Sequence, residues 1–341
     1  MRIGLYGGSF NPIHNGHVKL ANHVRKKCGL DEIWFIPALY APLKDHQPVP
    51  FEMRVEMIEM AIGPYRKLKC CLIEKDMPIP SYTINTVLKL KELYPEHSFC
   101  FIIGEDQYLQ LESWKDSERL VQEVQFIVVN RGVDVEEREG FIYVEDFDDD
   151  SSSTKVRQGE FSHACKAVRK YIVDNGLYMD EIASAHMSNH RYVHSCSVAE
   201  VMKTLAKAHG LDETKAYVIG MLHDIAKQMD KDAGRRLMEV YYPEQLEIAP
   251  AIWHQYQAMV LLKTKLGIHD KDILEAVGHH VIGDSRNPYA QAVFIADKIE
   301  PTRGYDNTAH MALARKDLAA AVEMVQQEQK EYILKTEGIS V

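Results

Sequence analysis

The sequence predicts a doubly wound, parallel α/β sheet over residues 1–182, followed by an all-α domain over residues 186–341. Three observations carry this. Short apolar runs alternate with helix-period segments up to about residue 180, the pattern of βαβ units. Beyond His190 the strand signal stops, and apolar residues recur at i, i+3 and i+4. Ten of the sixteen histidines lie after Asp180, so the two halves differ in chemistry as well as in period.

The elements follow in order. "RIGLYGG" reads as a first strand and leads into a helix from Gly16. "EIWFIPA" is a second strand, followed by a loop and the helix "FEMRVEMIEMAI". "KCCLIEK" is a third strand before the helix "SYTINTVLKLKELY", and "FCFIIGED" a fourth before a helix near Ser117. "QFIVVNR" and "FIYVE" complete the sheet, and a helix from His163 to Asn175 closes the half. "YMDEIASAHMS" reads as a join without strong periodicity. The second half offers five helices, of which "DETKAYVIGMLHDIAKQ" carries the His223-Asp224 doublet. Gly210 and Gly267 end two of them, and Asp212 and Asp270 cap the next.

The chain has 341 residues, 46% of them hydrophobic, with net charge −10. That charge argues against a nucleic-acid surface. No apolar run approaches a membrane span, and the first residues do not read as a signal peptide. The six cysteines show no C-x-x-C spacing and are expected to be reduced thiols of a cytoplasmic protein. Self-association is left open.

The segment "GGSFNPIHNGH" stands after the first strand, at a helix N-terminus, where an open α/β sheet binds ligands. Gly7, Gly8 and Gly16 allow close approach to a phosphate. Without G-K-[ST] it is no P-loop, and its glycine spacing fails G-x-G-x-x-G. His14 and His17 lack an acidic or cysteine partner nearby, so they fit phosphate donors better than metal ligands. Polar turn histidines remain the plain alternative.

This segment resembles the first phosphate motif of the nucleotidylyltransferase superfamily, a Rossmann-like fold, and "SSSTKVR" resembles its second. "PSYTINT", "FIIGEDQ", "LESWKD" and "VVNRG" between them resemble the bacterial nicotinate-nucleotide adenylyltransferases. The resemblance implies that ATP and nicotinate mononucleotide give deamido-NAD and pyrophosphate, with Mg2+. It implies that Gly7, Gly8, Ser9, Phe10, His14, His17, Lys44, Gly104, Asp106, Ser153, Thr154 and Arg157 hold ATP. His14 and His17 act where charge develops. Ser81, Tyr82, Thr83, Thr86, Trp114 and Arg131 hold the mononucleotide, with Trp114 stacked on the pyridine. A half-buried core aromatic is the commoner fate of such a tryptophan. Tyr40 and Leu43 replace the family's asparagine and histidine, and Asn85 its aspartate. A sibling transferase using nicotinamide mononucleotide is the alternative.

In the second half His194, His223, Asp224, His254, His280 and Asp297 stand in apolar helical contexts, where unpartnered polar groups are costly. Together they favour a metal centre, and N/O donors without thiolate suit divalent or trivalent Fe or Mn rather than structural Zn. The order H…HD…H…H…D resembles the HD phosphohydrolase superfamily. "RYVHSCSVAE", "GMLHDIAK" and "FIADKIEPTRGYD" are similar to its symmetrical diadenosine-tetraphosphate hydrolases. That resemblance implies Asp224 bridging two metals, Lys227 and Arg303 reaching phosphates, and two ADP as products. Val281 stands where that family usually has a hydroxyl residue. Hydrolysis of another nucleotide, or a non-catalytic metal-binding regulatory module, is the alternative.

Overall fold

The computed structural model describes residues 1–40, 49–129 and 136–337. It forms two compact units, residues 1–156 with 163–168, and residues 157–162 with 169–341.

The first unit is built on six parallel strands in the order β3-β2-β1-β4-β5-β6. These are β1 (Arg2–Gly8), β2 (Glu32–Pro37), β3 (Leu68–Cys70), β4 (Ser98–Gly104), β5 (Gln125–Val129) and β6 (Ile142–Val144). Helices α1 (Asn15–Lys27), α2 (Phe51–Ile62), α3 (Thr83–Leu93), α4 (Glu105–Leu109) and α5 (Ser117–Glu123) lie between them, and α6 (Ser153–Arg157) and α7 (Lys166–Asp174) follow the last strand, each divided between the two units. Alternate residues of the central strands, Ile3 and Leu5, Phe99, Phe101 and Ile103, Phe126 and Val128, share one core. Ile84, Val87 and Leu90 of α3 and Leu120 of α5 complete it. Both faces of the central strands are covered, which explains their near-continuous apolar runs. The chain winds outward from β1 in one direction and from β4 in the other. The switch point therefore lies between β1 and β4, where such sheets bind ligands.

The third strand is shorter than "KCCLIEK" suggests. Cys71 still donates its N–H to the Phe35 carbonyl (2.8 Å), and the chain then turns at Ile73–Asp76 to bury Glu74.

The second unit is helical throughout: α8 (Met179–His186), α9 (Asn189–Ala208), α10 (Glu213–Leu222), α11 (Lys231–Tyr241), α12 (Trp253–Thr264), α13 (Lys271–His279), α14 (Pro288–Ile299), α15 (Thr308–Ala314) and α16 (Leu318–Glu337). Asp212 and Asp270 cap α10 and α13, accepting from Lys215 N–H (2.9 Å) and Ile273 N–H (3.1 Å). The segment expected as a plain join is helix α8. Its Met179, Ile182 and Ala183 are buried on one face, and Asp180 accepts hydroxyls from Tyr192 (3.0 Å) and Tyr217 (3.1 Å). The helix expected across the His-Asp doublet stops at Leu222, so His223 and Asp224 lie in the turn beyond its C-terminus. No helix among the described residues is long and apolar enough to cross a membrane.

Candidate active sites

In the first unit a cleft of about 920 Å3 opens at the C-terminal ends of β1 and β4. It is lined by Gly7, Gly8, Ser9, Phe10, His17 and Ser153 on one side, and by Gly104 and Asp106 at the end of β4. Ser81, Tyr82, Thr83, Thr86 and Trp114 line it as well, so most of the expected nucleotide-site residues share one cavity. Lys44 and Arg131 lie outside the described residues. Thr154 belongs to α6, and Arg157 falls in the second unit, 3.7 Å from Glu181.

The glycines are explained by close approach. A Cβ on Gly7 would meet the Phe101 ring at 3.1 Å, and one on Gly16 would meet Asp149 Oδ1 at 2.6 Å. Phe10 takes φ 45°, which turns the chain out of β1 toward α1. His14 caps α1, and its N–H donates to His17 Nδ1 at 3.2 Å. That bond makes Nδ1 the acceptor of the His17 ring, so the neutral ring carries its proton on Nε2. The two imidazole centroids lie 3.7 Å apart, with the ring planes tilted by 32°.

The second motif is tied to the first. Ser153 Oγ donates to the Pro12 carbonyl at 2.8 Å. The preceding acidic run is a clamp on α1, where a solvated loop would have been the ordinary fate. Lys19 pairs with Asp149 at 2.7 Å, His23 with Asp146 at 3.0 Å, and Lys27 also with Asp146. Burial works against the Asp149 charge, but the Lys19 ammonium and the Ser151 N–H pull its carboxyl down to about 2.

Two residues that sequence reasoning missed hold this cleft from beneath. Arg54 is 1% exposed and donates to the carbonyls of Val49 (2.9 Å), Ser9 (2.7 Å) and Ala38 (2.8 Å). Buried Glu74 accepts from Leu39 N–H (3.2 Å) and Thr86 Oγ1 (3.1 Å), and burial pushes its carboxyl up. An arginine inside the apolar run "FEMRVEMIEMAI" was the available signal for the first.

In the second unit, close helix packing assembles the histidines. A Cβ on Gly220 would meet Ala199 Cα at 2.4 Å, so α9 and α10 touch backbone to backbone. This brings His194 and His223 to 5.4 Å between ring centroids. A Cβ on Gly278 would meet Met259 Sδ at 2.4 Å, and His254 and His280 lie 5.0 Å apart.

All six expected ligands converge and are buried. Two groups can each hold an ion: His194, His223 and Asp224, and Asp224, His254 and His280. Asp224 belongs to both, through different oxygens. Its Oδ2 is 3.7 Å from His223 Nε2, and its Oδ1 is 3.3 Å from His254 Nε2 and 3.4 Å from His280 Nε2. Asp297 Oδ1 joins the first group, 3.0 Å from His194 Nε2.

The ring orientations are set from outside. Nδ1 of His223, His254 and His280 contacts the carbonyls of Gly220 (2.7 Å), Ala251 (2.8 Å) and Val277 (2.7 Å), and His194 Nδ1 meets Glu300 Oε1 at 3.0 Å. With Nδ1 as donor, each Nε2 offers its lone pair to the centre. His223 Nε2 is buried without a hydrogen-bond partner. Burial lowers His223 to about 4 and also lowers His254. Burial disfavours the charge on Asp224, but the neighbouring histidines hold its carboxyl well below the usual range. His223 and His254 as neutral imidazoles beside the ionised Asp224 are in the donor state that metals require, whereas at His194 burial is outweighed by Asp297 and Glu300, which raise its pKa. The residues present therefore fit two cations.

Basic side chains surround the cluster. Arg191 pairs with Asp224 Oδ2 (2.8 Å), while Lys298 (2.9 Å) and Arg303 (2.8 Å) pair with Asp297. Lys227 Nζ is 3.1 Å from His254 Nε2, and burial lowers its pKa. At Val281 the backbone N–H donates to Gln255 Oε1 at 3.3 Å. His279 pairs with Asp284 at 2.5 Å, outside both ligand groups. Glu300 and Arg191 were not foreseen.

A cytidylyltransferase-like family model matches residues 5–159, and an HD domain model matches residues 191–302. A probable nicotinate-nucleotide adenylyltransferase of Bacillus licheniformis is 39% identical over 185 residues, 52% of this chain and 98% of that protein. The nicotinate-nucleotide adenylyltransferase of Bacillus subtilis is 38% identical over the same shares. A Mycoplasma genitalium protein named as a probable nicotinate-nucleotide adenylyltransferase/Ap4A hydrolase is 29% identical over 316 residues. That alignment covers 89% of this chain and 88% of the relative.

Proposed function

Because the chain belongs to the nicotinate-nucleotide adenylyltransferase family and continues into an HD-superfamily hydrolase domain, we propose two activities on it. Residues 1–182 join ATP to nicotinate mononucleotide, releasing pyrophosphate and deamido-NAD. Residues 186–341 split diadenosine tetraphosphate into two ADP.

In the first reaction the mononucleotide's phosphate oxygen attacks the α-phosphorus of ATP, and the bond to the pyrophosphate breaks. No protein nucleophile is needed, so catalysis is positioning and charge stabilisation. The observation that carries this is the His14 N–H bond to His17 Nδ1, which leaves Nε2–H of His17 as the donor on the cleft wall. Ser153, Thr154 and Lys44 complete the triphosphate site, and Trp114 and Arg131 the mononucleotide site. Mg2+ bound with the nucleotide would neutralise part of the triphosphate charge.

For the second reaction the carrying observation is Asp224, common to both ligand groups. Two ions, Fe or Mn, held by the six ligands would supply Lewis acidity and an activated water at neutral pH. Lys227 and Arg303 receive the phosphates, and Arg191, Lys298 and Arg303 balance the carboxylate charge. The free cysteines support a reducing, cytoplasmic setting for both activities.

The full chain given ATP and nicotinate mononucleotide yields deamido-NAD and pyrophosphate. Given Ap4A and Mn2+ it yields ADP alone. ATP plus AMP among the products would overturn symmetrical cleavage.

A further inference from the structure

The helical unit carries a cavity of about 780 Å3 that the metal ligands themselves do not line. That volume is in the range of sites for nucleotide-sized ligands. One wall comes from the end of α14 and the turn after it. There Lys298 and Arg303 line the cavity and pair with Asp297, at 2.9 and 2.8 Å, so this wall adjoins the candidate ligands. Tyr305 is fixed to the same wall, its hydroxyl donating to the Lys298 carbonyl. The other wall is one face of α16, where Val325, Glu328 and Tyr332 recur at helical spacing. Glu328 pairs with His310 Nε2 at 2.8 Å. Tyr305 is 49% exposed and Tyr332 69%, two large aromatic surfaces left to solvent around one cavity. The cavity is therefore cationic beside Asp297 and acidic along α16. A phosphate chain is drawn to the first wall and repelled by the second, whereas an uncharged flat base can lie on the tyrosines.

We propose that this cavity holds one nucleoside end of a dinucleoside polyphosphate, with its base against Tyr305 and Tyr332 and its phosphates toward Lys298 and Arg303. The proposal rests on the reading of the second unit as a hydrolase of such compounds. A base anchored there sets the register of the phosphate chain against the metal ligands, which cleavage at one fixed anhydride requires.

The test measures Ap4A cleavage by the full chain with Mn2+, for the wild type, Tyr332→Ala and Tyr332→Phe. It also measures inhibition of that cleavage by inorganic tripolyphosphate, which has no base. Tyr332→Ala is expected to raise KM for Ap4A roughly 5- to 30-fold, the loss of one stacking surface. Tyr332→Phe keeps the ring and the wild-type KM, and the Ki of tripolyphosphate is the same in all three proteins. A tripolyphosphate Ki that rises in step with KM would place the effect at the phosphates and overturn the proposal. An unchanged KM in Tyr332→Ala would overturn it as well, and leave the exposed tyrosines to a protein partner. A wild-type chain that cleaves no Ap4A overturns the hydrolase reading itself and this proposal with it.

Discussion

Replacing Arg54 by methionine tests how the nucleotide cleft is held open. Arg54 donates to the carbonyls of Val49, Ser9 and Ala38 at 2.7–2.9 Å, and its side chain is 1% exposed. Charge-assisted bonds contribute about 1.5–3 kcal/mol each at face value. Desolvating the guanidinium offsets several kcal/mol of that. Methionine matches the length and fills the space, so the remaining loss is three acceptors without a donor, two of them able to turn toward cleft water. A net loss of about 3 kcal/mol follows. For a unit of this size that lowers its calorimetric Tm by roughly 6–12 °C. Ser9 lies on the cleft wall, so KM for ATP should also rise, by about tenfold. Arg54→Lys keeps the charge, but one ammonium cannot span three carbonyls, so it should recover only part of the loss. A wild-type Tm and KM in Arg54→Met would refute the claim that this arginine supports the loop.

Other perturbations separate the parts. Glu300→Gln weakens the acceptor that orients His194, and should lower metal affinity roughly 10–100-fold by equilibrium dialysis, with adenylyl transfer unchanged. His17→Ala removes the Nε2–H donor and should lower kcat for deamido-NAD synthesis on the order of 10²-fold, with Ap4A cleavage unaffected. Asp149 titrates near 2, below its ordinary 3.8, so it adds stability that is complete above pH 4 and lost as pH falls toward 2. That contribution is about 2 kcal/mol at neutral pH, and Lys19→Met should raise the Asp149 titration midpoint seen by carbon NMR.

Much of the fold is readable because burial on both sides leaves a period. β1 and β4 are nearly continuous apolar runs, and the helices of the second unit repeat their apolar residues at helical spacing. The phosphate segment was legible from its place after the first strand at a helix N-terminus, and the six candidate metal ligands because polar groups in apolar surroundings need a partner. The end of α10 was not. Apolar residues continue past Leu222 through Ile225 and Ala226, both buried, so the period hides the turn that lets His223 and Asp224 reach common ions. α8 was hidden for the opposite reason, since small and polar residues surround its three buried positions. Arg54 and Glu300 carry charges that look like ordinary surface residues until the fold supplies their partners. For Arg54 those are carbonyls 5 to 45 residues away in sequence, and for Glu300 a histidine 106 residues away.

Asp224→Asn in the full chain tests the central claim most directly, with both activities measured on one preparation. The account predicts that ADP release from Ap4A is abolished, bound metal falls, and deamido-NAD synthesis proceeds at the wild-type rate. Ap4A cleavage that survives the substitution, or adenylyl transfer that falls with it, would contradict a separate metal centre built around that carboxylate.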